Sequence, residues 1–352
     1  MTDPIVARPK PYLITLEGGR TYFWCACGRS ARQPFCDGSH QGTGIVPRKL
    51  VVARTEEVLL CGCKHTTDAP FCDGAHTNVP GGSPLDDPDS AANRSVPVVN
   101  EREGPRRWLN GGCYIVSAAL SPKTVRERLR YCDLVTAQWG ARYQNQLFLE
   151  VAGGPSPVLS LGDRELILFV VGGSGRVRIS GREFEIKVND GVYVRSGEAL
   201  QLAPAGADPL QVFALAHPQG VPDWPAAMPD NFDAAYPQRV VSVDPAQRTA
   251  MGPRYFQLLV DKRVGSSLIT QFIGHIPRSK AAPHRHLYEE SIIVLAGEGY
   301  VWTEDRKAPV KAGDAIFLPR KQLHSVEATS AEGMFVVGVI CPGDNPSIAY
   351  YD

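Results

Sequence analysis

From Trp108 onward the chain alternates short apolar runs with Gly, Asp and Pro, as in Glu165-Leu-Ile-Leu-Phe-Val-Val171, Ser291-Ile-Ile-Val-Leu295 and Ala315-Ile-Phe-Leu318. Runs of this length bounded by turn residues read as strands, and their number predicts an all-β barrel or sandwich. One stretch reads as a helix, Pro122 to Tyr131, with Ser121 able to cap it and Pro122 in its first turn. Upstream, two shorter strand-like runs, Tyr22-Phe-Trp24 and Val58-Leu-Leu60, each lead into a polar segment rich in cysteine. Between these regions, residues 81–105 are polar and turn-forming, the pattern of a flexible linker.

The β region repeats itself. Val171-Gly-Gly-Ser-Gly-Arg-Val177 aligns with Leu295-Ala-Gly-Glu-Gly-Tyr-Val301 at an offset of 124 residues, and the same offset places Asp190-Gly191-Val192 on Asp314-Ala315-Ile316. Two copies of one β module are expected, at 106–220 and 221–352. Pro218 to Pro237, with Trp224 and Phe232, would connect them and pack across both, because its aromatics need cover.

Composition narrows the function. The 352 residues are 43% hydrophobic and 21% charged, as in a soluble globular protein. The 37 basic residues balance 37 acidic ones, which gives no reason to expect nucleic acid or an anionic membrane as partner. No signal-like or membrane-length apolar segment is present, so a cytoplasmic protein is expected. The nine cysteines are odd in number and arranged as Cys-x-Cys, which argues against a disulfide framework and for a reducing compartment.

Residues 1–80 carry the first chemical signal. Cys25, Cys27, Cys36 and His40 recur as Cys61, Cys63, Cys72 and His76, three thiolates and one imidazole written twice. Such sets hold zinc or an iron–sulfur cluster, and the ligand list alone does not choose. Both copies fit C-x-C-x₂-[S/T]-x₃-P-x-C-D-G-[S/A]-H, a pattern that resembles the CDGSH iron–sulfur family. The resemblance implies a [2Fe–2S] cluster on each set of four ligands, in a tandem arrangement that pairs within the chain or across a homodimer. His65, inside the second motif, is expected at the surface.

The second signal is His284, His286, Glu290 and His324. Alternate strand residues share a face, so His284 and His286 both face a barrel interior. Glu290 and His324 would complete a three-histidine, one-carboxylate site suited to iron, manganese, nickel, copper or zinc. These residues, with Gly297, Gly313 and Pro319, resemble the cupin family, although Arg278 and Lys321 replace glycines of its two motifs and Ala328 an asparagine. The resemblance implies a bicupin. At the 124-residue offset the four ligands fall on Ser160, Gly162, Leu166 and Leu200, so the first barrel is expected to be metal-free with an apolar interior.

The expected architecture is thus mainly β, a small CDGSH domain followed by two cupin barrels. The combination points to an oxygenase or oxidase in which Fe(II) at the cupin ligands takes O₂ and a small-molecule substrate, while the clusters relay electrons from a reductase. Glu290 and Tyr288 are the catalytic candidates, with Arg285, Glu289, Gln271, Gln322, Trp302 and Phe317 as further pocket candidates. A non-redox isomerase or amidohydrolase with redox-sensing clusters, and a cluster-transfer or metabolite-sensing protein, are the alternatives.

Overall fold

The computed structural model describes residues 3–72, 75–79, 85–86, 94–220, 222–251, 254–281, 283–343 and 345–346. Two β barrels follow a small cysteine-bearing domain. In the first barrel a seven-stranded sheet, which contains Asn145–Val151, Glu165–Gly172, Asp190–Val194 and Leu210–His217, faces a four-stranded sheet built around Ser174–Ile179 and Ala199–Pro204. The second repeats this with an eight-stranded and a five-stranded sheet. The sequence offset holds in three dimensions: Leu166 lies between Ala216 and Val194, and Glu290 between Ile340 and Leu318.

The large sheets read as continuous apolar runs because both of their faces are buried. Leu166, Leu168 and Val170 fill the first barrel, while Phe169 and Phe213 meet Ile273, Ile293 and Phe317 of the second in a shared apolar layer. Strands also cross over between the modules. Arg106–Trp108 and Tyr114–Ser117 extend the large sheet of the second barrel through Asp314–Leu318, and Val240–Ser242 extends that of the first through Asp190–Val194. A division at residue 220 therefore does not follow the sheets.

The helix expected at Pro122–Tyr131 is a hairpin, with Thr124–Arg126 paired to Leu129–Val135. Val125 is 66% exposed and Leu129 is buried in the first barrel, so this segment has no helical stripe to bury, and sheet pairing outweighs its propensity. Ser121 donates to the carbonyl of Ser117 instead of capping a helix.

The connection between modules is held mainly by the first barrel. Trp224 and Phe232 pack on its core, and Arg239 makes a two-pronged ion pair with Glu198 at 2.9 and 2.7 Å, both side chains fully enclosed. The predicted linker is docked where it is described. Leu85–Asp86 pairs with Ser279–Ala281 of the second barrel, and Val98 bridges Lys307. Residues 80–84 and 87–93 lie outside the described residues. Among the described residues no helix is long and apolar enough to cross a membrane.

Candidate metal and iron–sulfur centres

In the second barrel the backbones of His284 and His324 exchange two N–H to carbonyl bonds of 2.9 Å, which puts their rings 4.6 Å apart. His286 is brought in by its own carbonyl, which accepts the Lys321 N–H at 2.7 Å. The ligand nitrogens of the three histidines lie within 4.8 Å of one another. Glu290 Oε2 is 3.5 Å from His286 Nε2. His324 Nδ1 donates to the Gln322 carbonyl at 2.9 Å, so its Nε2 carries the lone pair. Burial lowers the His324 pKa to about 4, which keeps the ring neutral. Burial also pushes Glu290 up to about 8. Three imidazoles around a buried carboxyl group are a donor set that fits a divalent cation.

Beside Glu290 the barrel wall is apolar and aromatic: Phe256, Phe272, Tyr288 and Ile340 form one buried cluster. The Phe272 ring lies flat over Gly338, where a Cβ would come within 2.2 Å of it. Tyr288 stacks on His286 with centroids 4.6 Å apart and fixes the ring. Of the other pocket candidates, Phe317 belongs to the layer between barrels, Gln271 donates to the Leu168 carbonyl of the first barrel, and Trp302 donates to Glu327. Glu289 points away from the ligands; its two oxygens accept the N–H groups of Arg142 and Tyr143 at 2.7 and 3.0 Å, so the first barrel holds the ligand strand in place. Glu165, one repeat earlier, accepts from Ser266 of the second barrel in the same way. Nothing in the linear spacing signalled this exchange.

In the first barrel the bridge equivalent to His284–His324 joins Ser160 to Ala199, with Leu159 paired to Leu200, one residue off the simple offset and equally without a ligand. Its interior is apolar, as expected. His217 and His275 bond to the Tyr143 and Glu332 carbonyls at 2.8 and 2.9 Å, and His65 is exposed.

In the small domain each cysteine motif gathers its ligands as two pairs. Cys25 and Cys27 Sγ are 3.8 Å apart, and Cys36 Sγ is 3.2 Å from His40 Nδ1. The second motif gives 3.5 Å for Cys61 and Cys63 and 3.3 Å for Cys72 and His76. A tetrahedral metal with sulfur at about 2.3 Å separates its ligands by about 3.7 Å, so each pair fits one metal atom and each motif two. The Cys61 thiol is pushed down to about 6 by its hydrogen bond with Cys63, which is pushed up by the same bond; a metal would take both as thiolates. Trp24 Nε1 donates to the Cys61 carbonyl at 3.0 Å, and so does Lys64 Nζ at 3.0 Å. Burial lowers the Lys64 pKa to about 8.

The two kinds of site meet. Leu59 and Cys72 form a buried apolar pair, and Leu287, the residue after ligand His286, packs against it. Only the docked fold gives Leu287 this contact.

Residues 5–41 match the family model of the iron-binding zinc finger of CDGSH type, and residues 275–340 match that of the cupin domain. The N-terminal region is 52% identical over 54 residues to the mouse mitochondrial CDGSH iron-sulfur domain-containing protein 3, and 50% identical over 56 residues to the human one. Each alignment covers 15% of this chain, and the chain spans only 39% and 44% of those relatives. Among solved structures, the barrels are similar to the YlbA protein of E. coli (TM-score 0.54, 17% identity, 70% of this chain and 96% of that one). They are also similar to the oxalate decarboxylase of Lactobacillus farciminis (TM-score 0.51, 14% identity, 65% and 86%). At such identities the likeness concerns the fold. The chain thus joins a CDGSH-type iron–sulfur domain to a cupin domain in a bicupin architecture.

Proposed function

We propose that the protein is a metal-dependent oxidoreductase, an iron-dependent oxygenase or oxidase of a small molecule, supplied with electrons by two [2Fe–2S] clusters. The observation that carries this reading is the packing of Leu287, the neighbour of the candidate ligand His286, against the pair of Leu59 and Cys72, the latter from the second cysteine motif. Leu287 adjoins His286, so packed protein would join a cluster at the second motif to a metal at the cupin site. When bound, the clusters would supply single electrons, and iron at His284, His286, Glu290 and His324 would supply O₂ activation.

The chain's own residues do the rest. Phe256, Phe272 and Ile340 exclude water beside Glu290. Tyr288 holds His286 by stacking and offers its hydroxyl to substrate or proton. Arg254, on the same strand face as Phe256, is a cation for a substrate carboxylate, with one Nη2–H directed at the Val326 carbonyl.

The test begins with anaerobic purification and a metal count. About five irons and about four sulfides per chain are expected, falling to about four irons in the His284→Ala, His324→Ala double variant. The chemically reduced protein is then mixed with O₂ in a stopped-flow instrument, and cluster reoxidation is followed by absorbance. Reoxidation should slow at least tenfold in the double variant and also in Leu287→Arg, which keeps all ligands. Equal rates in all three proteins would refute the relay. One manganese or zinc in place of the fifth iron would move the assignment to non-redox catalysis.

A further inference from the structure

The cysteine motifs repeat at an offset of 36 residues, and the residue after the Cys-x-Cys pair breaks the repeat: Gly28 in the first, Lys64 in the second. Both turn left-handed, with φ of 80° and 69°. At Gly28 a Cβ would lie 1.9 Å from the Ile5 carbonyl oxygen, so no side chain fits. At Lys64 a long cationic side chain is accepted in the same backbone conformation, which a non-glycine residue adopts at some cost.

That side chain is turned inward. Lys64 is 5% exposed, and its ammonium donates to the Cys61 carbonyl and lies 4.6 Å from the ring of Trp24. Trp24 directly precedes Cys25 and donates to the same Cys61 carbonyl, so the ammonium sits where the two motifs meet. Among the described residues no carboxylate forms an ion pair with it; the charges that act on it are the sulfurs of Cys25, Cys61, Cys63 and Cys27. A buried cation without a counter-charge is costly, and a cluster of three thiolates supplies one. The cluster becomes more negative on taking an electron, so a neighbouring cation favours the reduced form.

The two cluster sites are not equally buried. His76 is fully enclosed and Cys72 is 5% exposed, whereas Cys36 and His40 are only partly covered. Burial alone would make the second cluster harder to reduce than the first, since added negative charge is poorly solvated there. Yet it is the second motif, at the pair of Leu59 and Cys72, on which Leu287 packs.

We propose that Lys64 is a positive charge shared by both clusters, raising the reduction potential of each and offsetting at the second the effect of its burial, so that the buried second cluster is the electron acceptor within the domain. The inference rests on the two-cluster reading above. One electron enters the exposed first cluster from a flavin- or iron–sulfur-bearing reductase. It then passes to the second, the first being reoxidised as the second is reduced, with no other bond made or broken. Lys64 is a positioning charge and touches no substrate.

The experiment is an anaerobic potentiometric titration of the full-length, cluster-loaded protein, followed by electron paramagnetic resonance. It compares the parent with Lys64→Gln, which keeps a hydrogen-bond donor, and with Lys64→Arg, which keeps the charge. Each is also prepared with His40→Cys, which sets the signal of the first cluster apart. Lys64→Gln is expected to shift the reduction equilibrium of the second cluster at least tenfold toward the oxidised form, about 59 mV for one electron, and that of the first in the same direction. Lys64→Arg should stay within threefold of the parent. An unchanged potential at either cluster, or an arginine variant that falls as far as the glutamine one, would overturn the proposal. If Lys64→Gln fails to assemble clusters, Lys64→Met is read in its place against the same limits. Potentials that shift as expected while cluster reoxidation ignores the barrel metal would overturn the relay and leave this inference standing.

Discussion

Binding of a divalent metal at neutral pH should expel one proton, and that proton should come from Glu290. Burial holds this carboxyl at about 8 in the metal-free site, so at pH 7 the protonated form outnumbers the carboxylate by about ten to one and about 0.9 proton sits on Glu290. His324, lowered to about 4, is already neutral and has no proton to give. The metal requires the carboxylate, so binding releases about 0.9 proton per chain from Glu290 at pH 7 and about 0.1 at pH 9. The same shift sets a stability trend for the metal-free protein. A carboxyl raised from its ordinary 4.5 stabilises the fold below that value, and the contribution is lost as the pH rises to about 8. The assay is calorimetric titration with manganese or zinc in two buffers of different ionisation enthalpy, which separates proton release from binding heat. Release below about 0.3 proton at pH 7, or release that persists unchanged in Glu290→Gln, would refute the reasoning.

Two further substitutions test how the barrels support the site. Glu289→Ala leaves the N–H groups of Arg142 and Tyr143 without their carboxylate, and should cost about 2–5 kcal/mol in urea unfolding and weaken metal binding about tenfold to a hundredfold; unchanged metal affinity would show that the contact does not position Glu290. Arg239→Met strands the enclosed Glu198 carboxylate and should cost about 3–5 kcal/mol, read as a lower midpoint with an unchanged denaturant slope.

The candidate ligand sets were legible in the sequence because most of each set is local. Cys25 to His40 and Cys61 to His76 each span sixteen residues, and His284 to Glu290 lie on one turn and strand entry, so spacing alone constrains their geometry. The internal repeat was legible for a related reason: each module needs the same alternation of buried and exposed positions, and Leu166 and Glu290 occupy the same place in it. The helix expected at Pro122–Tyr131 failed because that segment lies at the edge of a sheet whose partner, Asn145–Val151, is distant in the chain. The linker misled in the same way, since polar turn-forming residues do not reveal that Leu85–Asp86 pairs with Ser279–Ala281.

The sequence by itself determined which atoms are available for metal and for iron–sulfur chemistry, and that one barrel lacks ligands. Tertiary structure decided what those atoms are next to. It brought Leu287 to the pair of Leu59 and Cys72, set Glu289 on the backbone of the first barrel, and enclosed the ammonium of Lys64 between two cysteine motifs. Those relations depend on burial and on contacts between distant segments. Short-range spacing encodes coordination geometry, but the desolvation that gives Glu290 and Lys64 their charge behaviour exists only once the chain has closed around them.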